Sequence, residues 1–264
     1  MFTHNLSPIL FDLGFFSVRW YSLAYIIGIM FGWWYGKNII IQKFYPIDTE
    51  IKKKFDDLIT YLIFAIIIGG RAGYVIFYNL DYYFDNPIDI LKIWEGGMSF
   101  HGALIGIIIA TYIFSIKRNL KTFFLLDVIA CVAPVGIFFG RIANFVNAEL
   151  VGKVSSVSWA VIFPFIDMYP RHPSQIYEAI LEGLILFIIL NVIIYKKNYL
   201  MGTCSYLFLI LYGIFRIFSE IFREPDPQLG YFLNFISLGM ILSFFMILLG
   251  FIIRYSIKKN DDIK

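Results

Sequence analysis

The segment from Phe123 to Arg141 reads FFLLDVIACVAPVGIFFGR, and it decides the class of fold. It is about 20 residues long and almost entirely apolar, and a helix of that length crosses a hydrocarbon core of roughly 30 Å. It ends on an arginine, a residue that is costly inside a membrane. The segment therefore predicts a membrane-spanning helix with a charged group near one end.

The rest of the chain has the same character. Of its 264 residues, 59% are hydrophobic and 20% are aromatic, and the mean hydropathy is +0.75. A soluble domain of this size could not bury so much apolar surface. We therefore expect an all-α polytopic bundle with seven transmembrane helices, in a single domain over residues 1–264. The predicted spans are Phe15–Gly36, Leu58–Tyr78, Met98–Ile116, Phe123–Arg141, Ser174–Tyr195, Thr203–Phe222 and Tyr231–Ile253.

The basic residues predict the orientation. If the N-terminus is outside, the inner segments hold 14 Lys and Arg residues and the outer segments hold four. Because basic residues accumulate on the cytoplasmic side, this pattern predicts an N-out, C-in topology. These anchors account for the net charge of +3, which therefore gives no indication of nucleic-acid binding. No basic stretch precedes the first span, so we expect it to stay as an anchor rather than to be cleaved. The longest outer loop, about residues 144–173, is expected to form a small cap on the outer face.

Small residues recur four positions apart in several spans. This spacing lets helix backbones approach closely in lipid and predicts tight helix packing. The positions are Gly28, Gly32 and Gly36, then Gly69 and Gly73, Gly102 and Gly106, and Gly136 and Gly140.

Charged residues inside the spans point to a site in the outer leaflet. Four arginines fall within the spans: Arg19, Arg71, Arg141 and Arg216. Arg19 lies near a span end and can extend to the membrane surface, whereas the other three lie in the outer parts of their spans. The oppositely running third and fifth spans begin with polar residues, namely His101, Glu178 and Glu182. We therefore expect polar groups from five helices to meet at one level.

Helical spacing places these charges on two faces. Tyr212, Arg216, Glu220 and Arg223 share one face, and Gln175, Glu178 and Glu182 share another. The carboxylates can hold the guanidiniums in place and lower the cost of burying them. A purely structural ion-pair network is one interpretation. The other is an anionic ligand, and phosphate suits the planar guanidinium fork best.

Six segments of the chain resemble the bacterial prolipoprotein diacylglyceryl transferase family. The longest is GRIANFVNAELVGK, from Gly140 to Lys153. Three others precede it, namely RWYSLAY from Arg19, GGRAGY from Gly69 and HGALIG from His101, and two come after it, RHPSQIYE from Arg171 and FRIFSE from Phe215. All six occur in the order that the family shows. The chain departs from the family pattern at Ala103 and Ala143, where glycine is usual.

The resemblance implies a transferase of the bacterial cytoplasmic (inner) membrane, with seven spans, an outer N-terminus and an active site towards the outer leaflet. Its substrates would be phosphatidylglycerol, taken from the bilayer, and a prolipoprotein whose signal peptide carries a lipobox cysteine. The product is a thioether, and glycerol phosphate leaves, as the first step of lipoprotein maturation. The resemblance carries catalytic and lipid-binding roles onto Tyr21, His101, Arg141, Asn144, Glu149, Gly152, Arg216 and Glu220.

Chemistry refines these roles. We expect His101, Arg141, Arg216 and Tyr21 to be catalytic, with Arg141 and Arg216 also binding the lipid phosphate. The other expected lipid-binding residues are Arg71, Asn144, Asn147, Glu149, Gly152 and Glu220. His101 is the first candidate for the base that deprotonates the thiol, although the residues leave the identity of that base open. No cofactor is expected, and no metal, because the carboxylates form no recognisable ligand set.

Other functional classes fit the sequence less well. A transporter for an anionic substrate would need polar residues through the whole bilayer, whereas the inner halves of the spans are nearly all Ile, Phe and Leu. An intramembrane protease would need paired aspartates or a Ser–His arrangement within the spans. A structural scaffold would leave the outer-leaflet charges unexplained.

Overall fold

The computed structural model describes residues 2–12, 14, 17–225, 230 and 235–261, without the side chains of Glu95, Asn260 and Asp261. Most of these residues are helical. The α-helices are α1 (Trp20–Tyr35), α2 (Gln42–Phe44), α3 (Thr49–Tyr78), α4 (Leu80–Asp85), α5 (Phe100–Arg118), α6 (Thr122–Val146), α7 (Ser174–Glu178), α8 (Leu186–Ile194), α9 (Thr203–Glu220) and α10 (Leu238–Asp261). Two π-helical stretches make continuous runs: Gly36–Ile41 joins α1 to α2, and Ala179–Ile185 joins α7 to α8. Short 3₁₀ helices cover Pro87–Leu91 and Ile93–Glu95.

Within the described residues, six helical segments are long and apolar enough to cross a membrane. They are Thr49–Tyr78, Phe100–Arg118, Thr122–Val146, Ser174–Ile194, Thr203–Glu220 and Leu238–Lys259, and they correspond to the second to seventh predicted spans. The prediction of a multi-pass helical membrane protein is therefore confirmed. The first predicted span corresponds to α1, which has 16 residues and is not among the six, so the count of seven stays a prediction. Phe15 and Tyr231, where two predicted spans begin, lie outside the described residues.

The second span is longer than its apolar stretch. We predicted a start at Leu58, but α3 begins at Thr49, because the Asp48 side chain accepts hydrogen bonds from the backbone amides of Glu50 and Ile51. Such an N-cap satisfies amides that have no partner within the helix. The polar residues before the apolar stretch therefore form a helical extension.

In the part of the chain that the structure describes, five short strands occur beside the helices, and the all-α prediction did not include them. One sheet has the order β1 (Phe2–Thr3), β4 (Val161–Ile162) and β5 (Pro170–Arg171), and a hairpin pairs β2 (Ile9–Asp12) with β3 (Ser17–Arg19). Strands β4 and β5 fall in the predicted cap region, residues 144–173. A small apolar core of Val151, Val161 and Phe163 lies beneath them.

The chain divides into two compact units. One comprises Met1–Gly36 with Asp127–Lys264, and the other comprises Lys37–Leu126. In the second unit, a methyl group on Gly73 of α3 would lie 2.6 Å from the Cα of Gly102 in α5. In the first unit, a methyl group on Gly28 of α1 would lie 2.8 Å from the Cα of Gly136 in α6. The predicted close packing at these glycines is confirmed within each unit, whereas the single domain over residues 1–264 stays a prediction.

A buried carboxylate ties α6 to α9 in the first unit. Asp127 is fully buried, and it accepts hydrogen bonds from the backbone amides of Gly202 at 2.5 Å and Ser205 at 2.6 Å. The hydroxyls of Ser205 and Tyr199 also donate to it. Asp127 thus caps the first turn of α9 from another helix, which satisfies amides that α9 itself cannot satisfy. This fixes the alignment of α6 with α9, the helices that carry Arg141 and Arg216.

Candidate functional site

Three helical segments of the first unit carry the charged residues. Arg141 lies on α6, Glu178 and Glu182 lie on the run from α7 to α8, and Arg216 and Glu220 lie on α9. Arg216 and Glu220 are four residues apart, so both face the same side of α9. A π-helical stretch begins directly after Glu178. Such stretches inside α-helices are frequent at functional sites.

Glu178 is the centre of the ion-pair network. Its carboxylate is fully buried, with Oε2 at 2.9 Å from Nη1 of Arg141. Its Oε1 atom lies 3.0 Å from Nη1 of Arg216 and 3.4 Å from Nη1 of Arg223. One carboxylate therefore contacts three guanidiniums, which come from α6, from α9 and from the turn after α9.

Two further carboxylates complete the network. Glu182 is also fully buried, with Oε2 at 3.1 Å from Nη2 of Arg141 and Oε1 at 3.7 Å from Nη1 of Arg216. Glu220 pairs with Arg216 and accepts a hydrogen bond of 2.8 Å from the hydroxyl of Ser237. The residues just before α10 therefore also contact the network.

We call these six residues the charge cluster: Arg141, Arg216, Arg223, Glu178, Glu182 and Glu220. Its formal charge is zero. Taking ions out of water costs several kcal/mol each, and paired geometry must offset that cost. Arg141 has the most exposed side chain of the six, at 14%, so a ligand would reach its guanidinium first.

Polar atoms in the charge cluster and in residues next to it along the chain can make further hydrogen bonds. Among the described residues, Glu182 Oε1, Gln175 Oε1 and Ser219 Oγ are buried without a hydrogen-bond partner. Gln175 lies on α7, one turn before Glu178, and Ser219 directly precedes Glu220. A purely structural network would be expected to satisfy such atoms. Their presence favours a site that also bonds to a ligand or to solvent.

A polar rim follows the charged residues along α6. Asn144 donates a hydrogen bond of 3.1 Å to Glu149 Oε2, and Asn147 donates one of 3.3 Å to Glu149 Oε1. The Gln175 side chain donates to the backbone carbonyl of Glu149 at 2.6 Å. The structure thus brings together three residues predicted from the sequence to bind lipid, within a few residues of Arg141.

Gly152 lies where two backbone segments meet. Its amide donates to the carbonyl of His172 at 3.1 Å, and it forms a bridge with Arg223. A methyl group here would lie 2.8 Å from the carbonyl oxygen of Phe222. Only glycine allows this approach, so Gly152 has a packing role next to the charge cluster. Its predicted contact with lipid stays a prediction.

Two tyrosines of α1 belong to the same unit. The hydroxyl of Tyr25 donates to that of Tyr21 at 3.4 Å, and the ring centroids are 5.1 Å apart. Tyr21, predicted to be catalytic, therefore lies in the same compact unit as the charge cluster and the rim.

Arg71 and His101 belong to the second unit. The Arg71 guanidinium is buried, and it donates to five backbone carbonyls, those of Asp89, Ile90, Lys92, Gly96 and Gly97. These contacts hold the loop between α4 and α5, so the structure gives Arg71 a loop-organising role. His101 is buried in the first turn of α5. The predicted phosphate-binding role of Arg71 and the predicted base role of His101 stay predictions.

Sequence reasoning missed some members of the site. Glu178 and Glu182 were expected only to support the arginines, although Glu178 is the centre of the network. Arg223 was counted as an outer-loop residue, and only its spacing from Arg216 indicated its position. Ser237 carried no signal in the sequence, and Tyr25 was noted only as the last residue of the matching segment RWYSLAY.

Comparisons with known proteins identify the family of this chain. Residues 8–256 match the family model for prolipoprotein diacylglyceryl transferase. Three similar proteins are each named phosphatidylglycerol–prolipoprotein diacylglyceryl transferase. The protein of Rickettsia typhi is 52% identical over 95% of this chain and 96% of its own length. Those of Rickettsia felis and Rickettsia bellii are also 52% identical, each over 93% of this chain, and over 95% and 93% of their own lengths. The chain therefore belongs to the prolipoprotein diacylglyceryl transferase family.

Proposed function

We propose that this chain transfers a diacylglyceryl group from phosphatidylglycerol to the thiol of the lipobox cysteine in a prolipoprotein signal peptide. The observation that carries the proposal is the charge cluster, in a chain that belongs to this family. Its buried guanidiniums can bind the oxygens of a phosphate through two parallel N–H bonds. The named substrates of the relatives include one lipid phosphodiester and one protein acceptor, and the cluster suits the first of these.

The reaction needs a thiolate and a leaving phosphate. The thiol gives up its proton, because the thiolate is the nucleophile. Its sulfur forms a bond to the glycerol carbon that carries the phosphate ester. The carbon–oxygen bond to phosphate breaks, and glycerol phosphate leaves with the bonding electron pair. Fixed N–H donors at the departing phosphate stabilise the charge that develops there.

The residues take the following roles in this proposal. Arg141 and Arg216 bind the phosphate, and Glu220 orients Arg216. Asn144 and Glu149 bind the glycerol head group through its hydroxyls, and Asn147 holds Glu149 through its own hydrogen bond. His101 accepts the thiol proton, and Tyr21 lines the reaction centre. Gly152 allows the cap to approach the turn after α9, and Arg71 orders the loop between α4 and α5.

We also propose the finer topology: seven spans in one domain, an outer N-terminus, an inner C-terminus, and an active site towards the outer leaflet of the bacterial cytoplasmic membrane. The distribution of basic residues supports it, with 14 in the proposed inner segments against four in the outer ones. The helical run from α1 through Gly36–Ile41 to α2 supports the additional span.

Cysteine labelling tests the topology. A cysteine in the loop of residues 79–93 should react with a membrane-impermeant thiol reagent in intact spheroplasts. A cysteine in place of Lys53 should react only after the membrane is opened. The reverse pattern would place the site at the inner leaflet and refute the orientation.

The donor lipid tests the proposed reaction itself. Purified protein, a lipobox peptide and phosphatidylglycerol in detergent should give the peptide with an added diacylglyceryl mass, detected by mass spectrometry. Phosphatidylethanolamine or phosphatidylcholine with the same acyl chains should give little product, because groups that bond to hydroxyls would be left unpaired. Replacement of Asn144 by Ala should weaken this preference as well as the rate. Equal product from all three lipids would refute the head-group assignment, and no product from any would refute the reaction.

Variants of Arg141 test phosphate binding. Arg141→Ala should abolish transfer, because it removes a donor to the lipid phosphate. It should also lower the free energy of unfolding by about 3–5 kcal/mol, since two buried carboxylates lose a partner. Arg141→Lys should rescue poorly, because an ammonium cannot bond to Glu178, Glu182 and a phosphate in one plane. Thermal unfolding in detergent would separate lost activity from lost folding. Arg118→Lys, at an exposed ion pair with Asp57, is the matched control and should stay active. Normal turnover of Arg141→Lys would show that only its charge matters.

The pH dependence of a His101 variant tests the general base. His101→Gln should lower the rate strongly at pH 7 and recover part of it towards pH 9, because the thiol, with a pKa of roughly 8.5, then ionises without help. Turnover would be followed from pH 6 to pH 9 beside the native protein. A large defect that does not recover with pH would assign His101 to substrate positioning instead.

A further inference from the structure

A small cavity opens beside the polar rim of the first unit. Its volume is about 220 Å³, and its lining residues are His4, Leu6, Pro8, Asn147, Ala148 and Phe165. Four of these six side chains are apolar. The cavity is therefore walled mainly by carbon, with polar groups at two positions.

Both polar lining residues carry a hydrogen-bond acceptor. His4 is 1% exposed, and its Nε2 atom donates to the carbonyl of Phe145 at 2.9 Å, so the neutral ring leaves Nδ1 as an acceptor. Asn147 donates through Nδ2 to Glu149, which leaves Oδ1 as its acceptor. Among the described residues, neither His4 Nδ1 nor Asn147 Oδ1 has a hydrogen-bond partner, and both atoms are buried. Such atoms are costly unless something with a donor bonds to them.

The cavity walls are held in place by the fold. Strand β1 pairs with β4, and the amide of His4 continues this pairing to the carbonyl of Ile162 at 2.8 Å. The His4 ring packs against the rings of Phe145 and Phe163. These contacts fix the side of the cavity formed by the N-terminal segment.

The other side is the turn between β4 and β5, which carries Phe165. Arg171 closes this turn with a bond of 2.5 Å to Asp167, and that hydrogen bond holds the pKa of the Asp167 carboxyl below its ordinary value. Arg171 also donates to the carbonyl of Gly152 at 3.0 Å. The Phe165 side chain is 81% exposed although it lines the cavity. An exposed apolar ring that lines a cavity can cover an apolar ligand.

We infer that this cavity binds the prolipoprotein acceptor as an extended peptide segment, with His4 and Asn147 accepting backbone N–H bonds and the apolar walls taking one small side chain. The inference rests on the proposed function for the identity of the peptide. Peptide N–H groups are obligatory donors that need partners when buried, and two fixed acceptors match them.

Lipid head groups fit the cavity less well. A phosphate or carboxylate has acceptor oxygens, which would face two acceptors here. A glycerol head group has hydroxyl donors for the two acceptors, but its hydroxyl oxygens would find no hydrogen-bond donors on the carbon walls. A peptide can donate its backbone N–H groups to the two acceptors and pack a small apolar side chain against the carbon walls.

The position relative to the charge cluster also fits a peptide. Asn147 follows Arg141 by six residues and lies directly after the end of α6. At about 1.5 Å per helical residue, the two are roughly 9 Å apart along the helix axis. An extended chain covers that distance in about three residues. A peptide held at His4 and Asn147 would therefore reach the phosphate-binding arginines with a residue about three positions further along its chain.

The test measures peptide binding without chemistry. The probe is a synthetic prolipoprotein signal peptide with serine in place of the lipobox cysteine, titrated into the purified protein in detergent. His4→Gln keeps a donor for the Phe145 carbonyl but replaces Nδ1 by an amide oxygen at a different position, and it should weaken peptide binding about three- to tenfold, as expected for one hydrogen bond. Phe165→Ala should weaken it by a similar factor. Met168→Ala, an exposed residue of the same turn that does not line the cavity, should bind as the native protein does.

Steady-state kinetics completes the test. With the natural cysteine peptide, His4→Gln and Phe165→Ala should raise KM for the peptide and leave KM for phosphatidylglycerol unchanged. Unchanged peptide affinity in both variants would refute the inference, and a rise in KM for the lipid alone would assign the cavity to the head group. If His4→Gln unfolds, the Phe165→Ala variant decides, because its side chain is exposed. Native protein that binds the serine peptide but transfers nothing would refute the proposed reaction and leave this site standing.

Discussion

The burial of three guanidiniums against three carboxylates is the constraint on which the first unit depends. Glu178 alone contacts Arg141, Arg216 and Arg223, which come from different segments. Charges out of water are stable only while their partners stay in place, so α6, α9 and the run from α7 to α8 must keep their alignment. The Asp127 contacts at the start of α9 serve this purpose. Polar ties within the bundle thus support the charges that the function needs.

In the proposed function, the formal neutrality of the charge cluster determines how it would recognise phosphate. An excess of positive charge would attract any anion over a Debye length, whereas a paired cluster has little field at a distance. What it offers is a set of N–H donors in fixed directions, chiefly on Arg141, the most exposed member. Donors that need no reorganisation act most strongly where charge develops during the reaction. The carboxylates therefore make the arginines selective for a ligand that docks in the right place.

The sequence predicted the parts that have a periodic or energetic signal. Long apolar runs gave six helices in the right places, and buried charges at helical spacing gave the faces of Arg216 and Glu178. The two-residue strands were missed because so short a strand has no detectable alternation of apolar and polar residues. The pairing of Phe2 with Val161 also joins residues that are far apart in the sequence. Arg71 had the same signal as Arg141, a charge inside a span, yet its partners are loop carbonyls. Spacing along a helix shows that a charge is buried but not which groups surround it.

A transferase with two substrates must keep each in its own place, and here hydrogen-bond polarity supplies the distinction. The charge cluster offers donors, which suit the oxygens of a phosphate. The cavity of His4 and Asn147 offers acceptors among carbon walls, which suit the N–H groups and side chains of a peptide. Each substrate would leave buried groups unpaired at the other's position, at a cost of about 1–3 kcal/mol for each group. Asn147 and Asn144 share the Glu149 carboxylate, so the rim joins the two positions without making them alike.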